Sequence, residues 1–350
     1  MDVLWKEYGN GILWDRVYLT GKSSGAGFVN HLVCTMPERF AAIAPVAGPF
    51  VNPGSDEDRF VKEINKDCKF IRAMPVINFH GTSDLEVPYD GDPEREGSWL
   101  PAVQDWAKWW ADKNKCSSYS KTTPDPPDRW GQSVIVHHWL KCTDGIEVRH
   151  YEITKGVHDW PSMSSTADTN DDESVGTTGR AFREYPIEAT PEILPFLNTY
   201  RIPSKWFRDI TITAHLDIHD EENWPWSDEN GSFDWAPSDP VCLNPFTMKR
   251  ELQWEKGFGG EIRSVFTLTL TFDPESVSVQ VDWNLKLYEG TTEDTDDLDG
   301  QQSGSFTLKE DEETVAPVRV LVTNTEEDDD DHLDLTFTVK NGAKGGDLRC

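Results

Sequence analysis

Two periodicities divide the chain. Up to about residue 200, short apolar runs bounded by Gly, Pro and Ser alternate with segments whose apolar positions recur every three or four residues. Arg16 to Leu19 reads as a short strand that runs into Thr20-Gly21-Lys22-Ser23-Ser24-Gly25-Ala26-Gly27, with a helix-like segment from Phe28 to Thr35 behind it. Ala41 to Val46 and Pro75 to Phe79 are apolar runs that end at Ala47-Gly48-Pro49 and at His80-Gly81-Thr82-Ser83-Asp84. Breaker-bounded runs of this kind are expected of buried parallel strands. Between Leu100 and Asn114, the positions Ala102, Val103, Trp106, Ala107, Trp109 and Trp110 fall at helical spacing, which predicts a crossover helix with one face on the sheet. Ser133 to Trp139 and Ile146 to Ile153 read as further strands, and Thr190 to Thr199 as a last helix. Alternating strands and helices predict a mostly parallel α/β sheet.

After about residue 204 the period becomes two. Ile210, Ile212, Ala214, Leu216 and Ile218 alternate with polar residues, as do Phe266 to Phe272, Val277 to Leu287, Val318 to Val322 and Leu333 to Val339. Half-buried strands with polar turns and no helices predict an all-β, sandwich-like domain. The boundaries expected are residues 1–203 and 204–350.

The chain has 37% hydrophobic residues with 15 Trp and 16 Phe, which is ample for packed cores. Its formal net charge of -30 is concentrated in the second part, where residues 201–350 hold 13 basic and 33 acidic side chains. Such a charge repels nucleic-acid phosphates and anionic lipid, so neither nucleic acid nor a membrane is an expected partner. No run of about 18 apolar residues is present, and Met1-Asp2-Val3-Leu4-Trp5-Lys6-Glu7 lacks the regions of a signal peptide. Yet six cysteines, none in a C-x-x-C pair, fit three disulfides of a secreted protein better than zinc or redox work. Buried free thiols in a cytosolic enzyme are the competing reading.

The chemistry centres on Gly21-Lys22-Ser23-Ser24-Gly25, a G-x-S-x-G sequence between a strand and a helix. Flanking glycines allow the sharp turn that pushes the Ser23 hydroxyl outward, with a helix N-terminus behind it. An acid after a later strand and a histidine after the last one complete a nucleophile, base and orienting acid. Asp84 and His158 occupy those places. Asp90, in Val87-Pro88-Tyr89-Asp90-Gly91, competes as the acid but is more simply a turn former. His80 is read as a brace for its loop, and His137 and His138, adjacent in a strand, point to opposite faces.

With these blocks in place, residues 14–200 resemble the family of polyhydroxybutyrate depolymerases and feruloyl or acetylxylan esterases. The matching stretches are Arg16 to Gly25, Pro37 to Gly48, Pro75 to Gly91 and Gly156 to Pro161. The resemblance implies an α/β-hydrolase fold, a triad of Ser23, Asp84 and His158, and Trp160 as a wall of the substrate pocket. It also implies that Cys34 pairs with Cys68, and Cys116 with Cys142. Members of the family carry further strands and a His-Gly loop upstream of the nucleophile strand. The catalytic domain is therefore expected to be truncated at its N-terminus, leaving the Ser24 backbone N–H as the remaining oxyanion donor. Losing one such donor costs about a hundredfold to a thousandfold in rate.

The expectation is thus a secreted serine carboxylic ester hydrolase acting on polyester or plant cell-wall polysaccharide esters. The fold expected is an α/β hydrolase with a mostly parallel sheet and missing N-terminal strands, followed by an all-β sandwich-like domain. The alternatives are a non-catalytic secreted binding protein with a remnant hydrolase domain, or a serine peptidase of the same fold. No cofactor is expected for catalysis. Asp220-Glu221-Glu222, the group Glu293, Asp294, Asp296, Asp297 and Asp299, and Glu326 to Asp331 are candidate Ca²⁺ ligands, with solvated acidic loops the simpler reading. Asn230-Gly231-Ser232 is a glycosylation sequon, and Cys242 with Cys350 could close the β domain.

Overall fold

The computed structural model describes residues 12–48, 68, 70–92, 100–128, 131–163, 185–220, 229–258, 262–289, 297–312, 317–324 and 331–343. The chain divides into two compact units, one spanning Leu13–Ile202 and the other containing the residues from Pro203 onward.

The first unit is built on six strands: β1 (Tyr18–Lys22), β2 (Ala42–Val46), β3 (Val76–Gly81), β4 (Ser118–Thr122), β5 (Val134–Leu140) and β6 (Val148–Ile153). They lie in the order β1-β2-β3-β6-β5-β4. Three helices accompany them: α1 (Ser24–Thr35), α2 (Val103–Lys113) and α3 (Ala189–Thr199). The continuous apolar run of β2 follows from burial on both faces. Ile43 joins Val29, Val33, Val76, Trp106 and Trp110 in one core, whereas Ala42, Ala44 and Val46 join Ile77, Phe79, Ile193 and Phe196 in the other. The cysteine pairs Cys34–Cys68 and Cys116–Cys142 are bonded, as the family resemblance implied.

The expected α/β hydrolase with a mostly parallel sheet is overturned. Among the described residues the chain is predominantly β, with fifteen strands in three sheets against three α-helices. Within the first sheet, β1, β2, β3 and β6 run parallel, but β5 pairs antiparallel with β6 and β4 antiparallel with β5. The reason is local. The link from β5 to β6 is a short turn through Thr143–Gly145, and parallel neighbours need a crossover of a dozen or more residues.

The second unit holds two antiparallel sheets. In one, β10 (Lys249–Phe258), β11 (Ile262–Asp273), β12 (Ser278–Glu289) and β13 (Asp297–Leu308) pair in sequence order. In the other, β14 (Val318–Thr323), β15 (His332–Ala343), β7 (Arg208–Asp220) and β8 (Glu229–Trp235) follow one another, and β9 (Val241–Leu243) also pairs with β7. The period-two runs bury one side each, and the two buried sides meet. Phe337 of β15 contacts Phe266 of β11 at 5.2 Å, Trp283 of β12 at 6.0 Å and Phe306 of β13 at 6.4 Å between ring centroids. Val277, counted with the β12 run by its spacing, instead sits in the preceding turn at φ 52°. Among the described residues no helix is long and apolar enough to cross a membrane.

Phe337 is 1% exposed at the meeting point of both sheets. Phe337→Ala should lower the unfolding free energy of this unit by about 3–5 kcal/mol, read by urea denaturation followed through near-UV circular dichroism. A loss below about 1 kcal/mol would contradict this packing.

Candidate active site

β1 ends at Ser23, which takes φ 55° and ψ -122° before α1 begins at Ser24. A non-glycine residue held there costs on the order of 1–3 kcal/mol, so the surroundings must enforce it. Ser23 N donates to Val46 O at 3.0 Å and Ser23 O accepts from Gly27 N at 3.1 Å, which fixes the turn from both sides. A Cβ on Gly21 would stand 2.6 Å from the Gly25 carbonyl, and one on Gly48 would stand 2.4 Å from the Ser23 carbonyl oxygen. Glycine is therefore required at positions 21 and 48. A Cβ on Gly25 would meet nothing, so the glycine that completes the motif is not the one the turn needs.

The Ser23 side chain makes no capping hydrogen bond, leaving its hydroxyl at the start of the helix. Ser24, the first helical residue, is exposed, and its N–H precedes the first bond of the helix ladder. It is accordingly a donor beside the Ser23 hydroxyl.

Because β1, β2, β3 and β6 are parallel, the loops after β1, β3 and β6 emerge along one edge. The loops after β3 and β6 are stitched to each other. Thr82 N donates to Ile153 O at 2.9 Å, Ser83 N to Gly156 O at 2.7 Å, and Lys155 N to Thr82 Oγ1 at 2.8 Å. A Cβ on Gly81 would lie 2.3 Å from the Gly156 carbonyl carbon, so the two backbones touch where neither carries a side chain.

That contact delivers His158 to Asp84. Asp84 is 3% exposed, and its Oδ1 accepts from the backbone N–H groups of Glu86 at 2.9 Å and Val87 at 2.8 Å. Its Oδ2 accepts from His158 Nδ1 at 2.8 Å and lies 3.2 Å from His80 Nε2. Burial alone would raise the Asp84 carboxyl, but hydrogen bonds from His158 and His80, the charge of His80 and the Val87 N–H outweigh it. The carboxyl is held well below the usual carboxylate range. A carboxylate only accepts, so His158 presents a proton from Nδ1 and keeps its basic lone pair on Nε2. Among the described residues His158 Nε2 has no partner, and the Ser23 hydroxyl is not hydrogen-bonded to it.

His80 does hold its own loop, through Nε2 to Val87 O at 2.8 Å. Since a carbonyl also only accepts, the proton must sit on that nitrogen and is shared with Asp84. The exposed Asp90 takes no part. His137 and His138 do face opposite ways, His137 to Glu152 and His138 to Glu147. Trp160 is half-buried and donates from Nε1 to Thr190 Oγ1 at 3.1 Å, which joins the His158 loop to the first turn of α3.

Sequence reasoning missed the polar layer beneath these loops. Asn78 donates to Pro45 O at 3.0 Å and accepts from His150 Nδ1 at 2.7 Å, while Tyr89 donates to His150 Nε2 at 2.9 Å. Gln104 continues the chain from Tyr89 to Glu152, to which His137 donates at 2.7 Å. Burial, with His137 and His80 nearby, pushes His150 well below the ordinary histidine range, so it serves as a neutral link. Tyr89 ends the Asp84 loop, which is therefore anchored at both ends. The signal was available in Asn78 and His80, two polar residues two apart in an otherwise apolar strand.

A second Ser-His-Asp set lies in the other unit. His215 bonds Asp234 at 2.7 Å and Ser232 at 3.2 Å. It lies across paired strands at the surface, where the backbone N–H groups belong to the ladder and no helix N-terminus supports an oxyanion. The sequon residue Asn230 is on the same strand, exposed, with its Oδ1 bonded to His219. Glu221, Glu222, Glu293, Asp294, Asp296 and residues 326–330 of the candidate calcium clusters lie outside the described residues, as does Cys350. Cys242 is disulfide-bonded. Among the described residues no three His, Cys, Asp or Glu side chains are placed to hold a metal ion.

No family model matches the chain. It is similar to the bifunctional acetylxylan esterase/xylanase XynS20E of Neocallimastix patriciarum, 28% identical over 171 residues that make up 49% of this chain and 21% of that protein. It is also similar to feruloyl esterase B of Piromyces equi, 28% identical over 148 residues, 41% of this chain and 25% of that protein. The match thus spans a quarter or less of these relatives. Distant similarity to named esterases supports that part of the expected resemblance, and neither relative is named a polyhydroxybutyrate depolymerase.

A carboxylate whose folded value is depressed adds stability that is complete above its unfolded value, near 4, and is lost as pH falls through the folded one. Urea denaturation of the parent and of Asp84→Asn should therefore show a stability gap that is constant from about pH 7 to pH 5 and closes only at lower pH. A gap that closes between pH 7 and pH 5 would contradict the assigned electrostatics.

Proposed function

We propose that the Leu13–Ile202 unit is the catalytic part of a serine carboxylic ester hydrolase acting on plant cell-wall polysaccharide esters outside the cell. One observation carries the reading: His158, hydrogen-bonded to the buried Asp84, stands on the same strand-end edge as the strained, uncapped Ser23.

In this mechanism His158 Nε2 takes the proton of the Ser23 hydroxyl as Oγ attacks the ester carbonyl carbon. The Ser24 N–H donates to the developing oxyanion. Asp84 holds the imidazole orientation and stabilises its protonated form. Collapse of the tetrahedral intermediate releases the alcohol, which takes the proton from His158, and leaves an acyl group on Ser23. Water then attacks the acyl carbon with His158 again as base, freeing the acid and Ser23. Polysaccharide esters are favoured as substrates because the relatives are named for acetylxylan and feruloyl esterase activities. An extracellular site of action is favoured by the disulfides, which persist in oxidising compartments.

Ser23→Ala and His158→Ala should each lower kcat on a small chromogenic acetate ester by at least about a thousandfold. An unchanged rate in the Ser23 variant, measured on enzyme shown folded by circular dichroism, would refute the assignment.

A further inference from the structure

The outward face of the β10–β13 sheet carries an open, shallow cleft of about 620 Å³. Apart from Trp283, whose ring packs inward against Phe337, its lining comes from alternate positions of three neighbouring strands. Gln253 opposes Thr267, Thr267 opposes Asn284, Thr269 opposes Asp282 and Arg263 opposes Tyr288. From position 263 to position 269 the row on β11 is about 20 Å long, enough for several units of an extended polymer. Among the described residues the side chains of Gln253, Thr267, Thr269 and Asn284 have no hydrogen-bond partner, and Asn284 Oδ1 is buried in that condition.

The chemistry of the lining selects the ligand. A protein partner needs an apolar centre, and among the described residues the aliphatic side chain lining the cleft is the buried Val265. A polyanion needs uncompensated positive charge. Here Arg263 donates to Glu255 at 3.1 Å and lies over the Tyr288 ring at 4.6 Å, the carboxylate of Asp282 offsets the charge of Lys286 in the lining, and the whole chain carries -30. A metal cation would find one carboxylate in the lining. What remains is a neutral ligand rich in hydroxyls, because Thr, Asn and Gln side chains both donate and accept, with Tyr288 beside them in the lining.

We propose that this cleft is a binding site for a neutral polysaccharide chain, separate from the triad and able to hold polymer to the protein without hydrolysing it. Nothing in this assignment depends on the esterase reading. Its test uses the full chain as Ser23→Ala, so that turnover is irrelevant, in native gels containing soluble neutral arabinoxylan or anionic polygalacturonate. Concentration-dependent retardation by arabinoxylan is expected, weakened at least tenfold in Tyr288→Ala and in the nearly isosteric pair Thr267→Val with Asn284→Leu. The same substitutions in the Ser23 parent should leave hydrolysis of a small soluble ester within about twofold. Absence of retardation, retardation that the cleft variants leave unchanged, or equal retardation by polygalacturonate would each overturn the proposal. Loss of esterase activity in Ser23→Ala, or its persistence, bears only on the triad.

Discussion

A buried carboxylate organises the strand-end edge that carries Ser23, Asp84 and His158. Asp84 is ionised in a place where an unpaired charge would be prohibitively costly, and four donors make it tolerable: two backbone N–H groups, His158 and His80. Those donors come from two loops and a strand, so satisfying one charge fixes several elements at once. The stitched loops, the bare backbone contact of Gly81 with Gly156 and the Tyr89 anchor in the polar layer all follow from that requirement. The same contacts set the tautomer of His158 and leave its second nitrogen free for work.

The elbow at Ser23 meets a different constraint. Its strained backbone persists because Val46 and Gly27 bond it on both sides and because Gly48, across the sheet on the loop after β2, has no side chain to obstruct it. Strain and buried charge therefore converge on one strand-end edge, each stabilised by its own surroundings. Such local costs are concentrated where a structure has work to do.

Much of this was legible in the residues. Ser23, Asp84 and His158 could be singled out because breaker-bounded apolar strands announce their own ends, and loops at those ends carry chemistry. The helices around Trp106 and Phe196 were legible from spacing. The antiparallel half of the first sheet was obscured because β5 and β6 are equally apolar in either direction, and only the short Thr143–Gly145 turn separates the two readings. β8 and β13, with Asn-Gly-Ser and Gln-Gln-Ser-Gly in their middles, carry too little alternation to be seen as strands. Gly48 was invisible as a site residue, since its role depends on a carbonyl oxygen distant in sequence.

In the proposed mechanism Ser23 is activated by His158, which Asp84 holds in place. Labelling of the full chain with a fluorophosphonate probe, followed by peptide mass spectrometry, tests it directly. A phosphonyl adduct is expected on the peptide that contains Ser23, formed rapidly in the parent and at least a hundredfold more slowly in His158→Ala. Labelling of Ser232 in its place, or labelling of Ser23 at the same rate without His158, would contradict it.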